Sequence, residues 1–312
     1  MESILYSQLE SSIIVFIQSF MSEFLVSVAS VITELGDETA MVCIVGLLYW
    51  CLDKDLGKRI AVYIGIMNIT YPVVKCTVKR LRPYMADRNI KCLKPVSSDG
   101  DIYDIVVQEY SFPSGHANNS IAVYGTIGRR TDKKALKILM PVLIVLIGVS
   151  RFALGVHYPS DVLAGWIIAG VSIAVYNFLE KRLGRNRTFI LYDIIGLAGF
   201  FVATTNDFYT GYGILLGTTL AIMFEEKYVN FEGTQDILHC FLRVVVGAVL
   251  FLGLNTVMKL PFSSEFLNSG TTPAFALRAA RYAINMFLLL GVYPLCFKRV
   301  RKNKPEYNTV FP

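Results

Sequence analysis

The chain has 312 residues, 54% of them hydrophobic and only 17% charged, with a formal net charge of +6 and a mean hydropathy of +0.50. This apolar share exceeds that of a soluble domain and the charged share falls below it, so the composition excludes a soluble globular protein. An integral membrane protein is expected, with the lipid bilayer as its environment and no nucleic-acid partner.

The N-terminal MESILYSQLESS has neither the basic segment nor the small-residue cleavage site of a signal peptide, so the first apolar run is expected to be retained. The six cysteines, at 43, 51, 76, 92, 240 and 296, show no CxxC pair or secretory spacing. They read as core residues, not as a disulfide framework or a thiolate metal site.

Apolar runs near the length of a membrane span predict helices over 10–33, 38–52, 58–79, 116–130, 136–155, 160–181, 188–204, 208–226, 241–259 and 279–297. The first is interrupted by Glu10, Glu23 and Glu34 and reads as partly interfacial. Basic residues follow alternate helices: Lys54, Lys58 and Arg59 after the second, Arg129, Arg130, Lys133 and Lys134 after the fourth, Lys181, Arg182, Arg185 and Arg187 after the sixth, and Lys298, Arg299, Arg301, Lys302 and Lys304 in the tail. The positive-inside rule makes these cytoplasmic, puts both termini inside, and leaves the connections after helices three and five on the extracytoplasmic face. Lys79, Arg80, Arg82, Arg88, Lys91 and Lys94 break the pattern by clustering on that outer face, ahead of a long loop rich in Asp. Something other than topology is expected to use this charge.

Three segments on the same face carry candidate chemistry. In KCTVKRLRP, Lys75 and Arg82 are seven apart and would share a face of a continuous helix, with Pro83 ending it. In PSGH, Ser114 is a good N-cap, Gly115 lets backbone approach a ligand, and the free N–H groups of the turn that follows make an anion site, with His116 beside it. In SRFALGVHYPSD, Arg151 and His157 flank a tight connection, and Asp161, four residues after His157, is placed to accept a hydrogen bond from the imidazole. Each segment alone also reads blandly, as a snorkelling basic cluster, a capped helix with a surface histidine, or an interfacial histidine with a capping aspartate. Lys79 reads equally as a pocket charge or an interfacial one. Asp87, Asp99, Asp101, Asp104 and Glu109 read as a solvated face, and His239 as an exposed connection residue.

Taken together, in the order KxxxxxxRP, PSGH, SRxxxxxHxxxD, the segments resemble the signature of the type 2 phosphatidic acid phosphatase superfamily, which also includes glucose-6-phosphatase, sphingosine phosphate phosphatases and vanadium haloperoxidases. The resemblance implies an all-α polytopic membrane protein with a six-helix phosphatase core over residues 1–183 and a C-terminal transmembrane extension of about four helices over 184–312. It implies that His157 attacks phosphorus to form a phosphohistidine, that Asp161 orients the ring, and that His116 protonates the leaving group and then activates water. Lys75, Arg82, Ser114, Gly115 and Arg151 would bind the phosphate. No cofactor and no metal are expected, because no acidic or histidine cluster with metal-ligand spacing accompanies the three segments; fixed cations meet the charge that spreads over the phosphoryl oxygens. The expected activity is hydrolysis of a membrane lipid phosphate or diphosphate (polyprenyl diphosphate, phosphatidylglycerophosphate, phosphatidic acid or sphingoid-base phosphate) at the outer face of a bacterial plasma membrane. Hydrolysis of a soluble phosphate, headgroup transfer, and an anion or lipid transporter are the alternatives. Oligomeric state is left open.

Overall fold

The computed structural model describes residues 7–97, 100–203 and 205–297, so the expected basic tail lies outside the described residues. Among those residues the architecture is all-α. The first predicted helix is two, α1 (Gln8–Gln18) and α2 (Glu23–Glu34), bent by 118° across their break. Ser22 starts the second by accepting from Leu25 N, a capping signal inside the apolar run. Then come α3 (Glu38–Leu47, continuing as a π turn through Leu52), α4 (Lys54–Val78), and two short helices in the long loop, α5 (Pro83–Ala86) and α6 (Ile105–Gln108). α7 (Gly115–Ser120) runs through a π turn into α8 (Thr126–Arg130), followed by α9 (Lys134–Ala153) and α10 (Pro159–Leu183). The extension holds α11 (Arg185–Ala198), α12 (Asn206–Phe224), α13 (Ile237–Val257), the short α14 (Ser264–Leu267) and α15 (Thr272–Phe287), which continues as further helical turns to Cys296.

By length and hydropathy, five described helices suffice to cross a membrane: α4, α9, α10, α13 and α15. The shorter or more polar α3, α7 with α8, α11 and α12 run beside them. The α4–α12 pair sets the frame. At one end Lys58 lies 3.1 Å from Glu225 and 2.8 Å from Glu226; at the other, Lys75 lies 3.7 Å from Asp207. The seventeen residues from Lys58 to Lys75 span about 26 Å of helix. Ion pairs at both ends of an apolar contact fix the register of the two helices, the best-attested use of charge in such a place.

α15 completes this three-helix centre. A Cβ added at Gly213 or Gly217 would lie 2.3 Å from the carbonyl oxygen of Ala279 or Ala283, so α12 and α15 meet backbone to backbone. Small residues four apart are what allow that approach in a bilayer, where dispersion contacts drive helix association.

The bend between α1 and α2 changes the topology. Glu10 contacts Arg80 and Ser160, and Gln18 donates to the carbonyls of Lys91 and Ala153, so α1 lies across the loop-rich end of the bundle. Phe297, at the last described turn, packs on Phe231 beside Lys54, at the other end. The described ends of the chain are therefore at opposite ends of the bundle, where the positive-inside count placed both together. A segment expected to cross once folds back instead.

Candidate active site

Lys75 stands in the last turn of α4, nearly buried. The helix does not continue to Arg82: Lys79 adopts a left-handed conformation (φ 52°) and caps α4 after Val78. Arg82 therefore reaches the site from extended backbone as the N-cap residue of α5, and the shared helical face expected for the two cations does not exist. What fixes Arg82 is burial among carbonyls. Its Nε donates to Gln108 O at 2.7 Å and its Nη1 to Val156 O at 2.9 Å.

The same Nη1 lies 3.3 Å from His157 Nε2. A guanidinium has donors and no acceptor, so this contact requires Nε2 to present its lone pair and puts the ring proton on Nδ1. Nδ1 faces Asp161 Oδ2 at 3.6 Å, longer than a hydrogen bond. The expected imidazole–aspartate hydrogen bond is thus loose, because Asp161 is held by others. Its Oδ1 accepts from Arg80 at 2.7 Å and its Oδ2 from Tyr158 N at 2.8 Å. Burial, followed by the charges of Arg82, Arg151 and Lys75, pushes the His157 imidazole well below its ordinary pKa, leaving the ring neutral.

Arg151, at the end of α9, donates to Thr33 Oγ1 of α2 at 2.7 Å, while its buried Nε has no partner among the described residues. Ser114 caps α7 by accepting from Ala117 N, and its own N–H donates to Asp161 O at 3.0 Å, tying the PSGH turn to the HxxxD segment. The Phe112–Pro113 peptide is cis. The Tyr71 ring lies 3.2 Å from where a Cβ on Gly115 would stand, which makes glycine the residue that fits there. His116 follows on α7, and the charges of Arg151, Lys75 and Arg82, as well as the His157 ring, all act on its imidazole. The structure thus brings Lys75, Arg82, Ser114, Gly115, His116, Arg151, His157 and Asp161 to one end of the bundle.

It also brings residues whose role the sequence did not disclose. Glu109, grouped above with solvated loop acids, turns inward (φ 55°) and meets Lys75 Nζ at 2.8 Å. Burial alone would raise its carboxyl; the Lys75 ammonium, a hydrogen bond with Asp207 and the Arg82 charge hold it below the usual carboxylate range. Asp207 comes from α12 and accepts from Tyr71 at 3.3 Å. Arg80, counted only as part of a basic cluster, binds Asp161, Ser160 and Glu10. Among these, Glu10 left a trace as an acid inside an apolar run, and Arg80 as a member of the misplaced basic cluster. Lys79 acts as a cap. His239 stands exposed in the first turn of α13, with Nδ1 2.6 Å from Asp236. Among the described residues no group of three His, Cys, Asp or Glu side chains is arranged to hold a metal ion.

Two family models match this chain: "PAP2 superfamily" over residues 57–184, which holds the three motifs, and "PAP2 superfamily phosphatase, transmembrane extension" over 209–305. The chain belongs to the PAP2 superfamily. Among curated PAP2-related proteins it is similar to phosphatidylglycerophosphatase B of Bacillus subtilis, 26% identical over 170 residues that make up 50% of this chain and 75% of that one. It is also similar to an undecaprenyl-diphosphatase of Sulfolobus acidocaldarius, 31% identical over 123 residues, 39% of this chain and 54% of that one. A solved PAP2-type phosphatidylglycerolphosphate phosphatase from Bacillus subtilis matches with a TM-score of 0.43 and 24% identity, covering 58% of this chain and 90% of that one. PAP2 membership makes the protein a membrane-embedded phosphatase, a hydrolase of phosphate esters.

Proposed function

We propose that the protein hydrolyses a lipid phosphate or diphosphate at the extracytoplasmic face of its membrane, through a phosphohistidine on His157 and without a metal ion. The observation that carries this reading is the contact of Arg82 with His157 Nε2, which leaves a neutral ring with its lone pair among three cations. A phosphate bearing close to two negative charges draws Lys75, Arg82 and Arg151 onto its oxygens, releasing Nε2 to attack. The Nε2–P bond forms as the bond from phosphorus to the leaving oxygen breaks, and that oxygen takes the proton of a His116 imidazolium, a state that the bound phosphate dianion favours by offsetting the neighbouring cations. Water then gives a proton to His116 and displaces the ring from phosphorus, freeing phosphate. Asp161 acts on the Nδ1 side of the ring, and the Ser114 hydroxyl and Gly115 N–H complete the cradle.

The side of the membrane is read from charge. Lys54, Lys58, Arg59, Arg129, Arg130 and Arg185 gather at the end of the bundle away from the site, which the positive-inside rule makes cytoplasmic. A bacterial plasma membrane is the proposed location, in keeping with the Bacillus subtilis phosphatase named above. The catalytic core is residues 1–183, and 184–312 form an extension that reaches the site through Asp207.

The test is phosphate release by the purified full chain in detergent, from a panel of lipid and soluble phosphates with chelator present. Activity is expected to persist in chelator, to be blocked by vanadate and to vanish in His157→Ala. His116→Ala should lower kcat by about 10²–10⁴, most for poor leaving groups. Turnover that survives His157→Ala removes the phosphohistidine, and loss on chelation removes the metal-free mechanism.

A further inference from the structure

Between the phosphate-binding end and the middle of the bundle, α3, α4, α7, α12, α13 and α15 line a partly open cavity of about 110 Å³, with Glu38 of α3 among its walls. One end is polar. Asn68 lies on α4 seven residues before Lys75, about 10 Å along the axis, and Asn119 lies on α7 three residues after His116, on the same side of that helix. Both line the cavity. They are 2% and 5% exposed, and neither Oδ1 has a hydrogen-bond partner among the described residues. A buried polar group left unpaired costs about 1–3 kcal/mol, a cost that a ligand occupying the cavity would remove.

Beyond the two carboxamides the walls turn apolar. Val45, Ala61, Ile214 and Met286 follow, down to Leu290. Ala61 is seven residues below Asn68 on α4, about 10 Å deeper. Ile214, Phe251 and Met286 belong to the extension, so its helices shut this slot off on one side.

We propose that the slot holds the proximal part of one hydrocarbon chain of the lipid phosphate, with the hydroxyl or amide N–H nearest the phosphate donating to the Oδ1 of Asn68 or Asn119. The inference rests on the phosphatase reading above and makes the extension the builder of the chain-binding wall. Position on the helices argues for the occupant. Asn68 lies two turns below Lys75 on α4 and Asn119 one turn after His116 on α7, and the apolar walls lie deeper still, so a chain that continues inward from a phosphate in the cradle meets the slot. A second chain, where the lipid has one, stays in the bilayer.

The test compares hexadecyl phosphate with p-nitrophenyl phosphate, which lacks a chain long enough to reach Ala61, about 21 Å along α4 from Lys75. Ala61→Phe, which fills the deep part, is expected to lower kcat/KM for hexadecyl phosphate at least tenfold and to leave p-nitrophenyl phosphate unchanged, with the smaller Ala61→Leu in between. An equal effect on both substrates, or on neither, overturns the slot. A second arm needs no turnover: an alkyl phosphate with a diazirine at its chain end is photolysed with the full-length protein and the adducts are mapped. Labelling of α3, α4 or α15, lost in Ala61→Leu, supports the slot; labelling confined to the outer faces of α9 and α10 overturns it. If the wild type releases phosphate from neither substrate, the phosphatase reading fails, and the adduct map still decides whether the chain enters.

Discussion

Arg80 donates to Asp161 at 2.7 Å, and both side chains are buried. Asp161 therefore does more than face His157. It closes the first turn of α10 by accepting from Tyr158 N, while Arg80 neutralises it and reaches on to Glu10. Removing Arg80 leaves a carboxylate buried without its counter-charge. Arg80→Ala is expected to cost about 3–5 kcal/mol, read as a fall in thermal midpoint in detergent. The double variant Arg80→Ala/Asp161→Asn, which removes the stranded charge, should recover a large part of it. A midpoint unchanged in Arg80→Ala would mean the pair is solvated.

The low pKa of His157 sets a pH dependence. The ring is faced by Arg82, Arg151, Lys75 and His116, by Asp161 at Nδ1 and by the Ser111 backbone. With its folded pKa below the ordinary 6.5, the unfolded chain binds the proton first. Stability from this group is full above about pH 6.5 and is lost as pH falls toward the folded value. The nucleophile likewise stays neutral below pH 6.5, so the acid limb of kcat/KM that belongs to it should lie lower. Arg151→Gln, removing one cation, should shift that limb upward. A limb that stays in place would dissociate it from His157.

Lys75 meets Glu109 and Asp207 before it meets any phosphate. An anion entering the cradle must compete with the Glu109 carboxylate, while Asp207, pushed up to about 8 by burial and by Glu109, holds the proton of the acid pair. Charge pairs at about 4 Å are worth up to about 4 kcal/mol in a partly polarisable site, so Glu109→Gln should tighten vanadate inhibition by about tenfold, or ~1.4 kcal/mol, whereas Asp207→Asn, which removes no charge near pH 7, should change it little. Inhibition constants for the two variants and the wild type check this; weaker inhibition in Glu109→Gln would show that the acid helps hold the anion.

Packing at the centre is open to a similar test. Gly217→Leu forces a side chain against the Ala283 carbonyl and should destabilise by about 1–3 kcal/mol or more, whereas Gly253→Ala, with nothing within 4 Å of its added Cβ, should leave the melt unchanged.

The three motifs were legible because they are local: polar residues at fixed spacing in an apolar chain, each close to a helix end. Most spans were legible for the same reason. Arg82 reaches the site otherwise than its seven-residue spacing from Lys75 predicts, since a left-handed Lys79 stops α4 and the loop, not the helix, carries the guanidinium. Glu109 and Asp207 were not legible, because they lie 34 and 132 residues from Lys75 and meet it only once α12 has packed on α4. The break after Gln18 had a signal that hydropathy outweighed: Ser22 followed by Glu23, an N-cap with an acid in the first turn.

The bend between α1 and α2 has a practical consequence for anyone trimming the gene to its matched segment. A fragment spanning 57–184 would carry His116, His157 and the site's cations. It would omit Glu10, which grips Arg80, Thr33, which steadies Arg151, and Asp207, which tempers Lys75. The smallest piece worth expressing begins before Glu10 and ends beyond Asp207, wider at both borders than the stretch that carries the motifs.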